Sequence, residues 1–149
     1  MPRNCHAVDK ETVLAFFTEE IDGMGQHDGH PRNQGTPTDL ALCNNWKLCE
    51  LTHEEFFNML IPDGTNTLIE NKELLSTEGE SKDTILKWLD LIQKGVNIPP
   101  IIVRTRLETE TIDFSFYIED GAHRAIAYKV YFEEYEYLPV IAYIGVRNN

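Results

Sequence analysis

Over residues 114–132 the chain changes its hydrophobic period within a few positions, and this switch constrains the fold more than any other feature. Residues 114–118 read as a strand, and Ile126, Ala127, Val130 and Tyr131 recur at the spacing of one helix face, which predicts a helix over 123–132. Between the two stands Glu119-Asp120-Gly121-Ala122-His123-Arg124. A glycine in so short a join permits positive φ or a close approach of the backbone to a ligand. The N–H groups of Gly121, Ala122 and His123 then point outward at the positive end of the helix dipole. His123 and Arg124 add two cationic side chains. Backbone donors, dipole and guanidinium converging on one point make an anion site suited to phosphate. Asp120 is expected to cap the helix, and it is also a candidate for a ribose hydroxyl, a metal ion or a proton in transit. The same residues equally describe an N-capped helix that carries a surface arginine.

The rest of the chain fits an α/β domain. Asp9 reads as the N-cap of a helix over 10–21 whose apolar positions are Val13, Leu14, Phe16, Phe17 and Ile21, with Gly23 as its stop. Residues 23–37 hold four glycines, two prolines and two histidines, the composition of a loop that either connects or functions. Residues 46–51 look like a short strand, and Thr52 with Glu55 forms a capping box for a helix running to residue 60. Pro62-Asp63-Gly64 turns the chain, and residues 65–80 are polar and ambiguous. Ser81 is expected to cap the clearest helix, which buries Ile85, Leu86, Trp88, Leu89 and Ile92 and ends at Gly95. Residues 98–106 read as a strand opened by Pro99-Pro100, 109–113 as a turn, and 138–144 as a last strand too poor in charge for a sheet edge.

Charge narrows the function classes. The chain carries 13 Lys and Arg against 25 Asp and Glu, a net charge of −12. Affinity for a duplex comes largely from neutralising phosphates, so no duplex DNA is expected as a partner. Acidity of this size gives solubility, or a surface that recruits a basic protein. No apolar run approaches the roughly 20 residues of a membrane span, and the N-terminal residues lack the apolar stretch of a secretory signal, so the expected compartment is cytoplasmic with no membrane partner. Cys5, Cys43 and Cys49 are odd in number and show no paired metal-ligand spacing, and His27 and His30 stand alone. Neither a disulfide nor zinc is therefore expected, and no metal ligands are assigned.

The order Ile98-Pro99-Pro100-Ile101-Ile102-Val103, a hairpin, Tyr117-Ile118-Glu119-Asp120-Gly121-Ala122-His123-Arg124 with Ala125 and Ala127 behind, then Leu138-Pro139-Val140-Ile141-Ala142 resembles the ParB/sulfiredoxin superfamily. The likeness spans residues 46–146. It implies a ParB/sulfiredoxin-like α/β (α+β) domain at 46–149, with a small mixed sheet and packed helices, preceded by an N-terminal helix and loop extension at 1–45. It further implies a pocket for a nucleotide (ATP, ADP or CTP) or another phosphorylated small molecule, with Mg²⁺ as a possible companion. In that reading Gly121, Ala122, His123 and Arg124 bind phosphate, Arg124 neutralises developing charge, His123 donates a hydrogen bond, and Asp120 orients metal or nucleophile. Glu119 and Glu50 are further candidates for a base, and the activity implied is that of a phosphotransferase or nucleotide hydrolase. Sulfiredoxin-like members carry a nucleophilic cysteine where this chain has Ala122, so sulfinic acid reduction is chemically closed to it. Thr84 and Lys87 lie near helix positions that touch phosphates in sulfiredoxin-like proteins, and a solvated helix face explains them equally. The competing class is a non-catalytic acidic interaction module that grips a protein partner, served by Tyr131-Phe132-Glu133-Glu134-Tyr135-Glu136-Tyr137.

Overall fold

A computed structural model describes residues 2–18, 41–61, 67–69 and 80–147. The loop expected over 23–37, the end of the first helix, His27, His30, the turn at 62–64 and most of 65–79 lie outside the described residues. Those described form a mixed α+β structure of five strands and four helices. They are β1 (Arg3–Val8), α1 (Lys10–Thr18), β2 (Cys43–Glu50), α2 (His53–Phe57), α3 (Glu80–Gln93), β3 (Ile101–Thr105), β4 (Phe116–Asp120), α4 (Ala122–Phe132) and β5 (Ile141–Arg147). The sheet order is β1-β2-β5-β3-β4, with β5 parallel to β3 and every other pair antiparallel. No helix among the described residues is long and apolar enough to cross a membrane.

Strand alternation splits the core between the two faces of the sheet. On one face Ile101, Val103, Ile118, Ala142 and Ile144 pack with Phe56 and Met59 from the α2 region and Ala125 of α4. α3 lies over α4 through Ile85, Trp88 and Ala127. On the opposite face Trp46 and Ile102 meet Val13 of α1, with Tyr143 alongside. Gly145 sits beneath the Trp46 ring so closely that an added Cβ would come within 2.6 Å of it.

Local chemistry explains several element ends. Thr52 and Glu55 form the reciprocal capping box at α2, with Glu55 N–H donating to Thr52 Oγ1 at 3.2 Å and Thr52 N–H donating to Glu55 Oε1 at 2.9 Å. Gly95, at φ +74°, ends α3 in a Schellman motif: its N–H donates to the Ile92 carbonyl, and that of Val96 to the Leu91 carbonyl, each at 3.1 Å. α3 is described from Glu80, which places the backbone of Ser81 within the helix.

Two corrections concern the first residues. Residues 3–8, assigned from sequence to the helix and loop extension, form an edge strand of the same sheet, paired with β2. Cys5 and Cys49 are joined in a disulfide, contrary to expectation, with Cα atoms 4.2 Å apart. A register shift between Arg3 and His6, with Asn4 at φ +51°, marks a bulge that sets Cys5 against Cys49 across the strand pair. Cys43 is buried and keeps its thiol.

Candidate functional site

The strand-to-helix join forms as its sequence requires, but its parts are used differently. β4 ends at Asp120, two residues beyond the expected strand, and α4 starts at Ala122. Gly121 is the N-cap at φ +99°, and no side chain caps the helix. A Cβ there would lie 2.6 Å from Ile101 Cγ2 and 2.9 Å from Arg124 Nη2, so glycine is required twice, for its backbone angle and for its size. The first helical hydrogen bond runs from Ala125 N–H to the Gly121 carbonyl at 2.8 Å.

Asp120 does not cap α4. Its carboxylate turns into the core and accepts from Arg124 Nη2 at 3.3 Å. Arg124 does not present its guanidinium to an anion from solvent either: its side chain is 0% exposed. Arg124 Nη1 donates to the Pro99 carbonyl at 3.1 Å and to the Pro100 carbonyl at 2.9 Å, and the guanidinium carbon lies 5.6 Å from the Trp88 ring centre. The physical reason lies in the approach to β3. The strand proper begins at Ile101, and the two preceding carbonyls need donors where a buried cation can supply them. Arg124 therefore clamps the chain entering β3 to the turn leaving β4. The buried face of α4 shifts accordingly to Arg124, Ala125, Ala127 and Lys129, in place of Val130 and Tyr131.

Ala122 and His123 are half-buried at the first turn of α4. Glu119 points to the other sheet face, where it accepts from Arg104 Nε at 3.0 Å. Burial pushes its carboxyl above the usual range, with Arg104 opposing the shift. Glu50 accepts from Asn4 Nδ2 at 2.7 Å on the β1–β2 edge. Thr84 is half-buried and Lys87 exposed on α3. The structure thus brings together Asp120, Gly121, Ala122, His123 and Arg124, and it separates Glu119 and Glu50 from them.

Arg104, unassigned from sequence, anchors a second charged cluster. Its Nη1 donates to Glu110 Oε1 at 2.8 Å and its Nη2 to Glu110 Oε2 at 3.2 Å, while the guanidinium carbon stands 4.5 Å from the centre of the Tyr117 ring. Burial lowers the Arg104 pKa, but Glu110 and Glu119 outweigh it and the net shift is upward. The hydrogen bond from Arg104 holds Glu110 below the usual carboxylate range. The signal was present, since an arginine in the middle of a strand with acidic residues on the facing strand needs a partner. Among the described residues no group of three or more His, Cys, Asp or Glu is arranged to hold a metal ion.

Three clefts lined by described residues have walls that do not include residues 119–124. One of about 420 Å³ is bordered by Glu54, Glu55, Asn58 and Asp113, one of about 490 Å³ by Arg3, Glu50, His53 and Tyr137, and one of about 350 Å³ by apolar residues of α3, α4 and the approach to β5. No protein family, no curated protein and no solved structure matches the chain.

Proposed function

We propose that the chain is a ParB/sulfiredoxin-like domain that binds the phosphate of a nucleotide, or of another phosphorylated small molecule, at the turn Gly121 to His123. The observation that carries this reading is the start of α4: an eleven-residue helix with no side-chain cap, entered through a glycine at φ +99°. The N–H groups of its first turn lack helical acceptors by construction, and the helix dipole favours an anion there. Main-chain donors and His123 contact the phosphate in this reading. Arg124 acts as a positioning residue, because its Nη1 and Nη2 are engaged by Pro99, Pro100 and Asp120. Asp120 is paired with Arg124 and Glu119 with Arg104, which favours binding over phosphotransfer or hydrolysis.

Thermal unfolding with ATP, ADP, CTP and inorganic phosphate, each with and without Mg²⁺, tests this directly. A nucleotide at about 100 times its Kd adds about 2.7 kcal/mol. His123→Glu sets a carboxylate in the first turn, where the dipole tolerates it, and is expected to weaken binding by about tenfold or more while the ligand-free melt persists. Absence of stabilisation by every nucleotide and by phosphate overturns the reading, as does undiminished affinity in His123→Glu. A labelled duplex titrated in parallel at about 50 and 200 mM salt is expected to show no sub-micromolar binding.

A further inference from the structure

The cleft between the C-terminal ends of α3 and α4 and the approach to β5 gathers mainly apolar and aromatic side chains, with Gln93 and Asn97 among them. Its volume is about 350 Å³, and Val96, Ile98, Tyr131, Phe132, Leu138 and Ile141 contribute to its wall. Three of these stay open to solvent: Val96 is 47% exposed, Leu138 60% and Ile141 36%. Val96 follows the glycine of the Schellman motif, the position whose apolar side chain ordinarily packs back on the helix. Large apolar residues gathered around a cleft, rather than scattered singly, mark an interaction site.

The surroundings of the cleft indicate what covers it. Glu133, Glu134 and Glu136 are exposed on the segment that joins Phe132 to Leu138, both of which line the cleft. Tyr135, on the same segment, is 53% exposed and stacks on Tyr131 at 4.6 Å between ring centres. Lys94, just past the end of α3, pairs with Asp90 at 2.7 Å. A largely apolar lining next to an exposed acidic segment complements a segment that is apolar on one face and basic on the other. A second copy of this chain is a poor complement, because acidic borders would meet and each chain carries a net charge of −12.

We propose that this cleft docks a basic amphipathic helix of a partner protein, with its apolar side chains entering between Val96 and Leu138 and its Lys or Arg residues meeting Glu133, Glu134 and Glu136. The site is separate from the turn at Gly121 and does not depend on phosphate binding there.

The test uses fluorescence anisotropy with a labelled peptide of about 18 residues, leucine at i, i+3, i+4 and i+7 and lysine elsewhere on the helix. Micromolar binding is expected. Leu138→Glu should weaken it by about tenfold or more, since apolar anchors carry most of such an interface. Replacing Glu133, Glu134 and Glu136 together by lysine should have a comparable effect and remove most of the salt dependence. Should Leu138→Glu fail to fold, Val96→Ser, which also lines the cleft, gives the same reading. A peptide of equal composition with the leucines scattered must bind about tenfold more weakly, because equal binding would mean charge attraction alone. The proposal is overturned by no binding at about 100 times a micromolar Kd, by equal binding of the scattered peptide, or by unchanged binding in Leu138→Glu. It is equally overturned if sedimentation shows a dimer of this chain that Leu138→Glu dissolves.

Discussion

Asp120, the last residue of β4, and Arg124, in the first turn of α4, form a hydrogen-bonded ion pair at 3.3 Å with both side chains closed to solvent. Through Pro99, Pro100 and Asp120, Arg124 joins the β3 entry, the β4 exit and α4 by side-chain bonds. Removing one partner leaves a buried charge uncompensated. Arg124→Ala is therefore expected to cost about 3–5 kcal/mol in urea unfolding. The double variant Asp120→Ala/Arg124→Ala should be less destabilised than the sum of the two single changes by more than about 0.5 kcal/mol, and strict additivity would show that the pair is not coupled.

Gly121→Ala is expected to destabilise by more than about 1 kcal/mol, since it combines a left-handed backbone angle with a clash. The added methyl must displace Ile101 and the Arg124 guanidinium, 2.6 and 2.9 Å away. If the turn binds phosphate, the variant loses that affinity as well, and calorimetry on the folded fraction separates the two effects.

Gly145→Ala forces a methyl group against Trp46 in the centre of the sheet. Overpacking of this kind costs about 1–3 kcal/mol. Combining it with Trp46→Leu should recover part of the loss, and a denaturation midpoint equal to wild type in the single variant would show that the contact yields freely.

The disulfide ties an edge strand whose residues are otherwise mostly exposed to a strand within the sheet. The bonded cysteines are 44 residues apart, so reduction or Cys5→Ser enlarges the unfolded ensemble and is expected to cost about 2–4 kcal/mol. Hydrogen exchange should accelerate in residues 3–8 before it does elsewhere. Protection in β1 that is the same before and after reduction would contradict this.

Alkaline pH should loosen the fold. Burial raises Cys43 from 9.0 to about 11 and raises both Tyr128 and Tyr137 from 10.0 to about 12. In each case the folded state favours the neutral form. The sign follows: stability from these groups is intact below their unfolded values and is lost as pH rises through 9 to about 12. Urea midpoints measured across that range should fall, and tyrosinate absorbance in the native protein should lag behind that of the unfolded chain. Cys43 should resist a thiol reagent at about pH 8 until the protein is denatured.

What was legible in the sequence is what neighbouring residues decide among themselves. Thr52 with Glu55, Gly95 after a helical period, and the glycine between β4 and α4 each carry their geometry in a few positions. β1 was not legible, because Arg3-Asn4-Cys5-His6 shows no alternation of apolar and polar residues, and an edge strand buried on neither face needs none. The cysteine pairing was hidden for the same reason, since spacing says nothing about which strands lie side by side. Arg124 shows the limit most clearly. Position 124 could be placed at the start of a helix, but whether its guanidinium met solvent or the carbonyls of Pro99 and Pro100 depended on how two distant segments crossed. Arg104 left a trace as an arginine within a strand, but which acids close around it, Glu110 and Glu119, is decided only once β3 and β4 pair.

The sheet order carries a consequence for how the chain is made. β5, the latest in sequence of the described strands, lies between β2 and β3 and joins the β1–β2 pair to the β3–β4 pair. Without residues 141–147 the sheet divides into two ribbons, each with an unpaired edge where β5 belongs. Synthesis proceeds at about 5–20 residues per second, so those edges stay exposed on the nascent chain for seconds. Wrong strand pairing is expected at those two edges until β5 fills the gap between them.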